Sequence, residues 1–262
     1  METEPRIVTR TEGMVGIIEL ARPQVFNCLS VLGFAEIKAA LHGFEADAAV
    51  RVVLLLAQGK HFCTGAELGE VKRMRENRGL LSGFLAAGHE ALASLEASPL
   101  PVVGAVQGLC LAGGLELALA CDIVFAARTA KFGDQHAQYG LAPGWGGSQR
   151  LPRAVGLRRA LDLMFSARWI EAEEAERWGL VNHVVADEEL APESMRYAAA
   201  LAGRSASGIA LMKRLARDGL ATSLESGLQR EMTEVLPALF SEDVSEGLAA
   251  FEARRTPRFS GR

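Results

Sequence analysis

Two runs of consecutive apolar residues constrain the fold of this chain more than any other feature. They are VVLLLA, Val52–Ala57, and PVVGAVQG, Pro101–Gly108. A strand that is apolar on both faces must be covered on both faces, which is typical of a parallel sheet flanked by helices. A further β-branched run lies at Met14–Leu20, and helical spacing of apolar residues follows over Ser30–Ala48. The pattern predicts an α/β fold.

The second half of the chain changes character. Residues 132–156, FGDQHAQYGLAPGWGGSQRLPRAVG, are rich in Gly and Pro, which indicates short turns around a site rather than one long element. Beyond them the pattern is mainly helical to about Arg255, interrupted by a short strand in VNHVV, and Thr222 with Glu225 has the spacing of a capping box. We divide the chain into a core, residues 1–195, and a helical region, residues 196–262.

Composition excludes several classes of partner. Apolar residues make up 49% of the chain, the formal net charge is −4, and no run of basic residues could follow a phosphate backbone, so we expect no nucleic-acid partner. The apolar stretch from Leu100 to Ala127 is interrupted by Pro101, Gln107, Glu116 and Asp122, so we expect a buried strand and helix there and no membrane partner.

Cysteine usage indicates a reducing compartment. Four cysteines lie in apolar surroundings without a C-x-x-C spacing, and the chain opens without an apolar leader: Cys28, Cys63, Cys110 and Cys121. We therefore expect a cytoplasmic protein. The histidines are not spaced as metal ligands, and no metal is expected.

The segment LCLAGGLELALACD, Leu109–Asp122, contains one carboxylate among apolar residues. Burying the carboxylate of Glu116 is costly or raises its pKa, which suggests a chemical role. Gly113 and Gly114 follow a strand and open a helix, so their N–H groups lie at a positive helix terminus. A carboxylate in the first turn would repel phosphate, but it suits a carbonyl that gains negative charge only during reaction.

A second N–H donor is expected from HFCTGAEL, residues 61–68. This loop follows the strand VVLLLA and presents Gly65 and Ala66 at its carboxyl end, where open α/β sheets bind ligands. The two loops together predict an oxyanion site.

In this order the motifs resemble those of the enoyl-CoA hydratase/isomerase family, the crotonases. The resemblance covers nearly the whole chain and rests on six segments: RPQVFNCLS, GKHFCTGAEL, QGLCLAGGLELALACDIVFAA, KFGDQHAQYGLAPGWGGSQRLPRAVG, WGLVNHVV and EGLAAFEARRTPRF.

The resemblance implies a spiral of repeated ββα units with a C-terminal helical region that assembles subunits into homotrimers, often paired as hexamers. It implies an acyl-CoA thioester as the substrate, with coenzyme A carried by the substrate and no separate cofactor. The thioester oxygen would lie between the N–H groups of Ala66 and Gly113. The coenzyme would lie along two short segments that comprise Gln24, Val25, Phe26, Glu67 and Leu68.

One position departs from the family pattern. Glu116 matches the first catalytic glutamate of the hydratases, but the second is replaced by His136 in FGDQHAQYG. An imidazole also donates and accepts protons near neutral pH. We expect hydration or dehydration across C2 and C3 of an enoyl-CoA, with Glu116 activating water and His136 replacing the missing acid. Isomerisation, thioester hydrolysis, C–C cleavage, decarboxylation and acyl-CoA binding without turnover remain alternatives.

Overall fold

The computed structural model describes residues 5–261 and contains two sheets. The strands within these residues are β1 (Ile7–Glu12), β2 (Val15–Leu20), β3 (Val52–Ala57), β4 (Val102–Val106), β5 (Leu109–Leu111), β6 (Ile123–Ala127), β7 (Lys131–Gly133), β8 (Ile170–Glu171) and β9 (His183–Val185). The larger sheet has the order β1-β2-β3-β4-β6-β9 and the smaller one the order β5-β7-β8.

The larger sheet forms the core. Its first pair, β1 and β2, is antiparallel, and each later neighbour is parallel, with Ile17 opposite Leu54 and Leu54 opposite Val103. All five residues of β4 and the first four residues of β3 are buried. This confirms the α/β fold with covered parallel strands that the two apolar runs predicted.

Helices cover the sheets. Within residues 5–261 they are α1 (Val31–Ala46), α2 (Leu68–Met74), α3 (Arg78–Ala97), α4 (Gly113–Leu119), α5 (Gly147–Val155), α6 (Leu157–Ser166), α7 (Ala172–Trp178), α8 (Leu190–Ala202), α9 (Ala206–Gly219), α10 (Leu224–Ala238) and α11 (Glu242–Glu252). Short 3₁₀ helices lie at Pro23–Val25, His136–Tyr139 and Asp187–Glu189. None of the helices in the described part of the chain is long and apolar enough to cross a membrane.

Repetition of one unit positions the site. Strand β4 enters the larger sheet, β5 enters the smaller one and α4 follows; β6, β7 and α5 repeat this order. Because β5 and β7 are parallel neighbours, with Leu111 opposite Gly133, their carboxyl ends lie side by side. The residues after β5 include Gly113 and Glu116, and those after β7 include His136, so the two segments meet at one edge.

The predicted capping box at Thr222 is wrong. Helix α10 begins one residue later than that spacing requires, and the Oγ of Ser223 accepts the N–H of Ser226 at 3.2 Å. The hydroxyl of Thr222 instead donates to the carbonyls of Gly219 and Ser223. Thr and Ser are both good N-caps, so sequence spacing alone does not choose between adjacent ones.

The C-terminal region is helical, as predicted. Helix α8 packs on β3 and β4, where Ala198 and Ala202 are buried, and α9 packs against α10. The division between residues 195 and 196 falls within α8 and stays a prediction.

Candidate active site

Two glycines let the loops after β3 and β5 touch backbone to backbone. A Cβ on Gly65 would lie 3.0 Å from the N of Gly113, and a Cβ on Gly113 would lie 3.2 Å from the Cα of Gly65. Gly65 also has a φ of +105°, which side-chain-bearing residues rarely adopt. Glycine is therefore required at both positions for the two loops to meet.

Each loop leaves one N–H free. The N–H of Leu29 donates to the carbonyl of Gly65 and the N–H of Glu67 donates to the carbonyl of Leu29, which turns the N–H of Ala66 away from this bridge. Gly113 is the first residue of α4, so its N–H has no acceptor within the helix. Neither N–H has a protein acceptor among residues 5–261. Two unused donors on touching loops suit a carbonyl oxygen that acquires charge.

Glu116 lies in the first turn of α4 and is 1% exposed. Its Oε1 accepts the N–H groups of Trp145 and Gly147, each at 2.7 Å. Its Oε2 has no hydrogen-bond partner in the described part of the chain. Burial raises the pKa of Glu116, and the Gly147 N–H and the charge of His136 offset part of that effect. One carboxylate oxygen is thus held by the backbone, while the other is buried without a protein hydrogen-bond partner in the described part of the chain.

His136 begins the 3₁₀ helix after β7, and its side chain is mostly buried. Its Nε2 lies 3.9 Å from Oε2 of Glu116, and its Nδ1 lies 3.0 Å from Oδ1 of Asp134. Burial alone would lower the pKa of His136, but the hydrogen bond and charge of Asp134 and the charge of Glu116 outweigh it, so the net shift is upward. The imidazole of His136 therefore lies between two carboxylates that raise its pKa.

Asp134 is the residue that sequence reasoning missed. It is 1% exposed and lies two residues before His136. The signal was present as the spacing D-x-H in FGDQHAQYG, since a short Asp side chain often bonds the backbone two residues later.

The segments expected to hold coenzyme A lie side by side. Gln24 and Val25 belong to the 3₁₀ helix at Pro23–Val25, and the half-exposed ring of Phe26 stacks on His61 with ring centroids 5.4 Å apart. Glu67 precedes α2 and pairs with Arg22 at 2.7 Å, and Leu68 is exposed. The carbonyl of Phe26 also accepts the N–H of Thr64. Their contact with coenzyme A stays a prediction.

Trp145 forms the wall behind Gly113. The buried indole packs edge-on against Phe34 and Phe84, with ring centroids 4.6 and 5.2 Å apart. A Cβ on Gly113 would lie 2.1 Å from Cζ3 of the indole, and one on Gly88 would lie 2.2 Å from its Cδ1. Trp145 therefore closes the space between α3 and α4 and also donates its backbone N–H to Glu116.

The α/β fold thus carries two touching loops, each with a backbone N–H that has no protein acceptor among residues 5–261, and a buried pair of a carboxylate and an imidazole. Comparison with known proteins identifies its family. The model of the enoyl-CoA hydratase/isomerase family matches residues 10–262, and the chain belongs to this family. The membership that the six motifs predicted is thereby confirmed.

The relatives are hydratases by name. A protein from Rhizobium meliloti named a probable enoyl-CoA hydratase is 40% identical over 98% of each chain. A crotonyl-CoA hydratase from Syntrophomonas wolfei is 34% identical over 97% of each chain. The crystal structure of an enoyl-CoA hydratase from Bacillus anthracis has a TM-score of 0.94 and 34% identity, over 98% of this chain and 100% of that one. The crotonase-like fold is confirmed.

Proposed function

We propose that the protein is an enoyl-CoA hydratase that adds water across C2 and C3 of an enoyl-CoA thioester and removes it in the reverse direction. The observation that carries this proposal is the Oε2 of Glu116, which has no hydrogen-bond partner in the described part of the chain and lies 3.9 Å from Nε2 of His136. The names of the relatives support the same reaction.

Binding begins with the thioester carbonyl, which accepts the N–H groups of Ala66 and Gly113. These donors withdraw electrons from the conjugated double bond and make C3 electrophilic, and they stabilise the enolate oxygen that follows. Because the donors belong to the backbone of touching loops, they are in place before substrate arrives.

Water addition uses the two side chains in turn. The ionised Oε2 of Glu116 accepts a proton from water while the water oxygen forms a bond to C3 and the electron pair of the double bond moves toward the thioester oxygen. The imidazolium of His136 then donates its Nε2 proton to C2 as the enolate collapses. The product has gained OH at C3 and H at C2, which balances one water.

The resting protonation is restored within the pair. After one addition Glu116 carries the extra proton and His136 has lost one, and the two groups face each other across 3.9 Å. Transfer of that proton from Oε2 to Nε2 regenerates the carboxylate and the imidazolium, and needs no further group of the protein.

The coenzyme is proposed to lie along residues 24–26 and 67–68. Exposed apolar surface at Phe26 and Leu68 is available for the adenine ring and the pantetheine arm. Coenzyme A arrives as part of the substrate, and the mechanism uses no separate cofactor or metal.

Assembly into homotrimers or hexamers is proposed for the C-terminal region. Exposed apolar side chains recur every fourth residue in α10, each next to the one a turn earlier, in a stripe that drifts around the helix by about 40° at each step: Leu224, Leu228, Met232 and Leu236. Leu220 before the helix and Phe240 after it are also exposed. A contiguous apolar stripe of this kind is typical of an interface.

The cytoplasm is the proposed compartment, on the basis of the thiols. All four cysteines are free, and Cys63 and Cys110 remain unpaired although they oppose each other in a β-bridge. Burial raises the pKa of both thiols far above the usual range, which leaves them unreactive.

Hydration is tested with a panel of enoyl-CoA thioesters of increasing chain length. Loss of absorbance at the conjugated thioester band, with a mass gain of one water, supports the proposal. Binding of every thioester without any change in mass would overturn it.

A further inference from the structure

One oxygen of Asp134 holds His136 at two points. Oδ1 accepts the backbone N–H of His136 at 3.2 Å and lies 3.0 Å from its ring Nδ1. The first bond fixes where the side chain leaves the backbone, and the second fixes the rotation of the ring. A single carboxylate oxygen thus removes most of the freedom of the imidazole.

The turn that carries this pair is itself anchored. Gln135 lies between the two residues with a φ of +61°, a left-handed conformation that non-glycine residues rarely adopt. Its buried side chain donates from Nε2 to the carbonyl of Ala167 at the end of α6. The strained position is therefore held by tertiary structure and not by local preference.

Among residues 5–261, Asp134 has no cation other than His136 to balance it. The carboxylate is 1% exposed, and no Lys or Arg among residues 5–261 forms an ion pair with it. A buried carboxylate without a charged partner is strongly destabilising. The pairing is therefore stable only when the ring donates Nδ1–H to it.

The charged groups that face His136 come from two elements. Glu116 faces Nε2 from α4, and Asp134 faces Nδ1 from the turn after β7. In a neutral imidazole one ring nitrogen donates and the other accepts, and the hydrogen bond at one nitrogen sets the state of the other. A fixed Nδ1–H thus makes Nε2 the nitrogen that gains and loses the proton, on the side of Glu116.

We propose that Asp134 is a positioning residue that fixes the Nδ1–H form of His136 and directs Nε2 to the C2 position of the substrate. The role of Asp134 in catalysis rests on the proposed hydratase function. The contact between Asp134 and the ring of His136 is present in the protein without substrate. The sequence unit Asp-Gln-His thereby replaces a second glutamate with an imidazole whose orientation is set by a buried carboxylate.

The state of the ring is measured without substrate by long-range ¹H–¹⁵N correlation spectra across a pH titration. The chain has five histidines, and the signals of His136 are those missing from the spectrum of His136→Gln. We expect the neutral ring of the wild type to carry its proton on Nδ1. Asp134→Asn, which keeps the shape but removes the charge, lowers the pKa of His136.

Steady-state kinetics test the positioning role of Asp134 independently of the spectra. Asp134→Asn is expected to lower kcat for hydration about 10²-fold with little change in KM, and to move the basic limb of the pH profile to lower pH. Asp218→Asn is the matched control, because it removes one carboxylate that pairs with the exposed Arg230. It should leave the ring titration and kcat unchanged.

The two proposals fail in different ways. A wild-type ring that is neutral with its proton on Nε2 overturns the positioning role, and this measurement does not require that Asp134→Asn folds. An unaltered titration of His136 in folded Asp134→Asn would also overturn the positioning role. A ring that behaves as expected in a protein that hydrates no enoyl-CoA supports the positioning role and overturns the hydratase function.

Discussion

Oε2 of Glu116 and Nε2 of His136 face each other 3.9 Å apart, and Oε2 has no hydrogen-bond partner in the described part of the chain. The separation is too long for a direct hydrogen bond but short enough for a single water oxygen to lie at ordinary hydrogen-bond distance from both atoms. Burial raises the pKa of Glu116, and the carboxylates of Asp134 and Glu116 raise the pKa of His136.

Glu116→Gln removes the base and keeps the shape. The Oε1 of a glutamine still accepts the N–H groups of Trp145 and Gly147. We expect turnover to fall about 10²–10⁴-fold, which is the usual contribution of general acid–base catalysis, while coenzyme A thioesters bind with unchanged affinity. Steady-state kinetics and calorimetric binding measure the two quantities. Retention of most of the wild-type rate would make Glu116 a structural acid.

His136 should produce the basic limb of the enzyme's pH–rate profile. The imidazolium donates the proton, so kcat/KM falls as the pH rises through the pKa of His136, which Asp134 and Glu116 hold above 6.5. His136→Ala is expected to abolish this limb and to lower kcat/KM about 10²-fold or more. His136→Glu, which restores a second carboxyl group, should keep crotonyl-CoA hydration above the rate of the alanine variant. An unchanged profile in His136→Ala would exclude an acid–base role.

Gly114→Ala tests the close approach of the two loops. The new Cβ would lie 2.1 Å from the carbonyl oxygen of Cys63, a backbone atom that cannot move aside. We expect a loss of about 1–3 kcal/mol in the free energy of unfolding, measured by urea denaturation. Gly83→Ala, at an exposed position of α3 with no atom within 4 Å of the new Cβ, is the matched control and should not destabilise the protein. Equal stability of the two variants would contradict the packing described here.

The apolar stripe beside α10 predicts an interface. Leu228→Lys introduces a charge on the stripe and should convert the assembly to smaller species in light scattering coupled to size exclusion. Gln229→Lys introduces the same charge on an exposed neighbouring face of the helix and should leave the assembly intact. A wild-type protein that is monomeric at micromolar concentration would refute the proposed assembly.

Much of the fold could be predicted from the sequence because its signals are local. The run Val52–Ala57 is buried along most of its length, and the helix after Gly113 carries Glu116 into the interior, as the pattern indicated. The role of Asp134 was not predictable in the same way. It depends on the left-handed backbone at Gln135 and on an anchor at Ala167, 32 residues away in sequence. Tertiary contacts of this kind leave no periodic signature.

We propose that Glu116 and His136 together add water to an enoyl-CoA. Hydration of crotonyl-CoA in deuterium oxide is the sharpest test of this proposal, with the product analysed by NMR and mass spectrometry for the wild type, Glu116→Gln and His136→Ala. We expect 3-hydroxybutyryl-CoA with one deuterium at C2 from the wild type, and at least about 10²-fold slower formation by each variant. A wild type that binds crotonyl-CoA without forming this product, or two variants that form it at the wild-type rate, would show that Glu116 and His136 do not perform the hydration.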